Sequence, residues 1–326
     1  MHDIGEGTIR RIDWQELTPV VLLLRIFNVS LGLRTMLPAL IGTLLTLGIL
    51  VLSGGNLMQH HIGMSGSGIT AIRYLTIPGS IRFDSSAFIT VAGIYLVWTV
   101  FGSMICRTVA VRLTIDESES LPNQFRFFVQ RASSLISFAV LLILGILCCL
   151  LPVKIAGWLA SIPYLDYVMA LTLPIPLLFA FFAAVLAVGL VFGWMLMFAA
   201  VCVDGADGFD AISRMFSYLY QRPLHYLFYW LYCMILGCVG YAVVALFFNA
   251  VLYLTLSLCN FPLQDTLTAR CWLFLIIILP TAYCFSWFWT SSIAIYLLLR
   301  RSVDATPFNE IYRVKEVQTK TLRTIV

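Results

Sequence analysis

Six apolar runs, each about as long as a membrane crossing and each free of Asp, Glu, Lys, Arg and His, limit what this chain can become. They fall at about 35–53, 87–106, 132–151, 176–203, 226–256 and 271–299. A hydrocarbon core ~30 Å thick is crossed by ~20 helical residues. In lipid a backbone must satisfy its own hydrogen bonds, so runs of this kind read as helices. Composition closes the soluble alternative. The chain is 61% hydrophobic and 11% charged, with a mean hydropathy of +0.95, where a soluble domain carries about 25% charged residues. The expected fold is all-α: one polytopic transmembrane helix bundle over residues 1–326, with about six spans and a polar tail at 300–326.

The connections between runs carry their own pattern. Thr18-Pro19 has the form of a helix start, and the short segment from Pro19 to Leu33, with Arg25 inside it, reads as lying in the membrane interface with Arg25 and Arg34 towards headgroups. The segment VCVDGADGFDAISRMFSYLYQRPLHY, Val201 to Tyr226, is charged and amphipathic between two long apolar runs. A weaker copy lies 91 positions earlier. At that offset Phe101, Gly102, Met104, Asp116, Phe125, Gln130 and Arg131 meet Phe192, Gly193, Met195, Asp207, Phe216, Gln221 and Arg222, without a gap. The string VDATPFNEI, after the last run, echoes VDGADGFDAI. This is the signature of a parallel internal repeat of membrane helix, amphipathic helix and membrane helix, and three such hairpin units suit a pseudo-threefold axis. Residues 207–221 are expected to form one interfacial helix with Phe209, Ile212, Phe216, Leu219 and Tyr220 on its apolar stripe, closed by Pro223. In the first copy the helix should start near Ser120, because of Pro122, and the next span should stop at Pro152.

Basic residues assign the sides. Sixteen of the twenty Lys and Arg lie in the N-terminal segment, the two amphipathic connections and the tail; Arg73, Arg82, Lys154 and Arg270 lie opposite. The positive-inside rule places both termini in the cytoplasm.

Cofactor chemistry finds little footing. The nine cysteines have no paired metal spacing, and most sit singly in apolar runs, where cysteine acts as a small hydrophobe. Cys259 and Cys271 flank one external loop, where a disulfide is an alternative. Met58, His60, His61 and Met64 are of copper-binding type, but adjacent histidines on a Gly-rich loop read more simply as loop residues. No P-loop, HExxH, GxSxG or haem CxxCH sequence occurs. No cofactor or metal is expected, and dispersed basic residues leave no nucleic-acid footprint. Uncharged spans weigh against ion-coupled transport, which keeps an ionisable group near mid-membrane. Asn249 reads as a bond between helices and His225 as an interfacial hydrogen-bonder.

The remaining cluster is Asp204, Asp207 and Asp210, followed by Arg214, Phe216 and Arg222. Acid before base is what a helix dipole favours, and Asp207-x-x-Asp210 has capping-box spacing. The acids do not follow an EF-hand. These six residues are candidates for docking a partner rather than for catalysis. The string VDGADGFDAISRMFSYLYQRPLHYLFYW also resembles a loop of uncharacterised multi-span bacterial membrane proteins. That resemblance implies a cell inner membrane and attaches no activity. Three functions fit: a non-enzymatic scaffold or complex subunit docking a membrane or cytosolic protein through its amphipathic helices, a channel or transporter for a lipid or uncharged solute, and, with fewer converging residue types, an interfacial enzyme. Membrane lipid is the one partner common to all three.

Overall fold

The computed structural model describes residues 19–53, 85–117, 119–162, 164–258, 267–308 and 310–312. Among them are nine helices and no strand: α1 (Pro19–Ser30), α2 (Leu33–Leu52), α3 (Ser85–Thr114), α4 (Leu121–Leu159), α5 (Leu165–Thr172), α6 (Pro174–Asp204), α7 (Gly208–Gln221), α8 (Pro223–Leu258) and α9 (Leu267–Asp304). Six of these, α2, α3, α4, α6, α8 and α9, are long and apolar enough to cross a membrane. The chain is an integral membrane protein folded as an all-α polytopic bundle. Thr18, the Met58–Met64 histidine loop and Cys259, the alternative disulfide partner of Cys271, lie outside the described residues.

Three helices make the centre. α3, α6 and α9 touch one another pairwise, α2 packs on α3 and α9, and α4 packs on α6 and α3. The last outer helix, α8, leans on α9 and does not run along a second inner helix. Outer and inner helices alternate along the chain, so the bundle is three successive hairpins in the order that a central axis would impose. Each hairpin is entered through an amphipathic stretch: α1, the first turns of α4, and α7.

Aromatic side chains fill the junction. Trp289 of α9 is buried beside Phe198 and Trp194 of α6 and Trp98 of α3, with ring centroids 4.8, 5.5 and 6.2 Å away. Gly102 makes room for it, since a Cβ there would stand 2.5 Å from the indole. Such rings each bury 150–250 Å² and carry most of a core's energy.

α1 departs from the interfacial expectation. It is buried along Leu22, Leu23, Ile26 and Val29, mainly against α9, because these positions repeat at helical spacing on one side. Its last carbonyls are taken up: Thr35 Oγ1 donates to Val29 O at 2.8 Å, and Ser286 Oγ of α9 to Ser30 O at 2.7 Å. Arg25 pairs with Asp116, and Arg34 donates to the Glu119 carbonyl at 3.2 Å, so both are engaged by the α3–α4 turn as well as placed at the boundary.

The two copies of the repeat also differ. The first amphipathic stretch is not a separate helix. It starts at Leu121 after Ser120, as Pro122 suggested, and then runs straight into the span as one 39-residue rod. Ala132 stands where Pro223 stands in the other copy, and alanine continues a helix that proline cannot. Pro152 does not stop α4, which goes on to Leu159. The exit turns are also out of step. Positive φ falls at Asp116 after α3 and at Gly205 after α6, two places earlier than the gapless offset gives. A third such turn follows α9 at Ala305. The inner helices outrun the apolar runs, so Arg107, Asp204, Arg300 and Asp304 lie within helices at their basic ends, and the tail proper begins at Ala305.

Candidate functional site

The basic end of the bundle gathers most of the described charges. α7 forms there for local reasons. Asp207, in extended backbone, accepts from Asp210 N at 2.8 Å and caps the helix. Arg222, whose N–H bonds Tyr218 O, ends it one residue before Pro223. The helix starts against α4, crosses α6 and finishes beside α9 and α8, so it runs around the bundle. Its buried line is Gly208, Ala211, Met215 and Tyr218. The expected stripe is therefore rotated. Phe209 is 72% exposed and Tyr220 is exposed and stacked on Phe216, while Ile212, Phe216 and Leu219 are half-buried and pack against the core. Two glycines of α6 set this rotation. A Cβ at Gly193 would run into Met215, and one at Gly189 would stand 2.6 Å from Phe216.

Asp204, the last residue of α6, is the hub. Its carboxylate accepts from Arg214 Nη1 at 2.7 Å, lies 3.2 Å from Arg300 Nη1, and accepts the Tyr296 hydroxyl. Arg214 Nε also donates to both oxygens of Asp210 at 3.0 Å. Burial alone would lower the Arg214 guanidinium, but its hydrogen bonds to Asp210, together with the nearby carboxylates of Asp204 and Asp210, raise it above its ordinary value. Tyr218 donates to Asp304, and its phenol is pushed up first by burial and then by that carboxylate.

A second cation clamps the same helix end. Arg107 of α3, almost fully buried, donates through Nη1 to Cys202 O at 3.2 Å and Tyr312 O at 2.9 Å, and pairs with Glu119 at 3.2 Å. Tyr312 N donates to Val203 O at 2.8 Å, and its ring lies 4.5 Å under the Arg131 guanidinium. Gly205 is needed twice over, for its φ of 65° and because any Cβ would stand 2.6 Å from the Tyr312 ring. The tail is thus folded back under the bundle as far as Tyr312.

Of the six sequence candidates, Asp204, Asp210 and Arg214 meet in one network, Asp207 caps α7 beside them, and Phe216 packs on α6. Arg222 stays apart, exposed at the start of α8. Sequence reading missed Arg107, Tyr296, Arg300 and Tyr312, which come from helices and a tail far along the chain. Their only trace was the cluster of basic residues at the ends of the runs. The arrangement holds helix ends together. Each carboxylate oxygen of Asp204 has a cationic partner, and no group of three His, Cys, Asp or Glu among the described residues is placed to hold a metal. Glu119 Oε2 and the fully buried Gln124 Oε1 have no hydrogen-bond partner among the described residues. Comparison with protein-family models, with curated proteins and with solved structures gives no match.

Proposed function

We propose that the protein is a non-enzymatic membrane scaffold, a subunit that docks a membrane or cytosolic protein on its basic face, with both termini in the cytoplasm. The observation that carries the reading is the partition of the molecule. Its inner junction is closed by Trp98, Trp194, Phe198 and Trp289, the buried arginines Arg107 and Arg300 are paired with Glu119 and Asp204, and apolar side chains stand out beside them on α7 and on α4. Phe209 and Tyr220 of α7 and Phe125 and Val129 of α4 are more than half exposed. Exposed apolar patches rimmed by polar groups mark interaction sites. The Asp204 network supports this role by holding α6, α7 and α9 in one arrangement under that surface. The loop resemblance supports a bacterial inner membrane as the setting.

The test is recovery of the tagged chain from its own membranes, beside Phe209→Glu. A scaffold brings down a defined protein in fixed ratio, and the variant loses it while keeping its melting temperature. A chain recovered with lipid alone, or with the same proteins in both cases, overturns the reading.

A further inference from the structure

We propose that the crevice between α6, α8 and α9 holds one acyl chain of an anionic phospholipid, whose headgroup sits at Arg222. The crevice has a volume of about 350 Å³ and is walled by Met195 of α6, Trp230, Cys233 and Tyr241 of α8, and Trp287 and Ser291 of α9.

Its existence has a structural cause. The outer helices α2 and α4 each pack on two inner helices, but α8 is drawn onto α9 alone. Gly237 admits the Trp287 indole, whose Nε1 donates to Cys233 O at 3.0 Å, and Gly240 admits Tyr283 and Phe27. The groove on the α6 side is left open, with the Tyr226 hydroxyl bonded to Phe192 O as the strut between α6 and α8.

Dimensions and charge select the occupant. From Trp230 to Tyr241 the wall of α8 is ~16 Å long at 1.5 Å per residue. That is about one leaflet of a ~30 Å hydrocarbon core. A helix is ~10–12 Å wide with its side chains and is too thick for this space; an extended hydrocarbon chain fits it. Arg222 lies ~12 Å along α8 from Trp230, at the basic end. Its guanidinium forms no hydrogen bond or ion pair with any described residue, while Asp204, Asp210 and Asp304 are all taken by other partners. His225, also exposed, stands one turn away. A cation left free beside an apolar slot complements a phosphate above an acyl chain. This assignment stands apart from the scaffold reading.

The test is native mass spectrometry of the full chain released from bilayers of phosphatidylglycerol and phosphatidylcholine in equal amounts. The wild type should retain one phosphatidylglycerol. Cys238→Trp, which adds an indole to the exposed wall of the crevice, should retain none. Arg222→Gln, an exposed change that leaves the core untouched, should retain one lipid with the headgroup preference reduced to parity. Release of the wild type without lipid, equal retention of both lipids by the wild type, or an unchanged preference in Arg222→Gln overturns the proposal. Retention by a folded Cys238→Trp equal to that of the wild type overturns it as well.

Discussion

The guanidinium of Arg107 reaches from α3 to the carbonyl of Cys202 in the last turn of α6, 3.2 Å away. That carbonyl belongs to the group a helix cannot satisfy by itself. One buried cation therefore serves a helix terminus, the Tyr312 carbonyl and the Glu119 carboxylate together. Arg107→Ala should destabilise the protein by about 3 kcal/mol, the low end for breaking a buried pair, because it strands a partly buried carboxylate and two carbonyls. Arg107→Lys should recover only part of this, since an ammonium lacks the planar fork. Thermal unfolding in detergent reads both; equal stability of all three proteins would refute the clamp.

Two glycines separate packing from helix propensity. Gly102→Ala pushes a methyl into the Trp289 indole and should cost about 1–3 kcal/mol by overpacking. Gly48→Ala meets nothing within 4 Å. It should be neutral or stabilising by up to about 1 kcal/mol, the helix preference for alanine. Opposite signs in one melting experiment are expected.

The rotation of α7 reverses a simple expectation. Met215→Ala should cost about 2–5 kcal/mol, as a buried methionine truncated to alanine does. Phe209→Ala should change stability by less than about 0.5 kcal/mol, as an exposed substitution does. Comparable losses would show that Phe209 is packed rather than offered to a partner.

Alkaline pH should act through Tyr218. Its folded phenol titrates above the unfolded value of about 10. The stabilisation from that difference is complete below about pH 10 and is lost as pH rises through the folded value. The stability gap between wild type and Tyr218→Phe should hold constant from pH 7 to about pH 9.5 and shrink above it. A gap that widens with pH contradicts the sign.

Much of this architecture is legible in the chain because lipid leaves few choices. Six uncharged runs can only be helices, and Pro223 and Asp207 announce the ends of α7 by local chemistry alone. The rotation of α7 was not legible, because it depends on Gly189 and Gly193 of a different helix. Phe209 and Met215 are equally apolar on paper. The burial of α1 was hidden in the same way, since an amphipathic helix looks alike whether its partner is a lipid or α9. Arg107 and Tyr312 lie 205 positions apart, and no spacing rule joins them.

Ala132 and Pro223 occupy equivalent places, and the difference between them has a mechanical consequence. α4 is one uninterrupted rod from Leu121 to Leu159, so the direction of its amphipathic end is fixed by that of its span. α7 and α8 meet at a break at Arg222, since Pro223 has no N–H to carry the ladder of helical bonds across. The direction of the α8 span is set apart from that of α7, which Met215 and the Asp204 network anchor to α6. The two halves of the exposed apolar surface are therefore held differently, Phe125 and Val129 by a helix continuous with its span and Phe209 by a helix set at a break from its own.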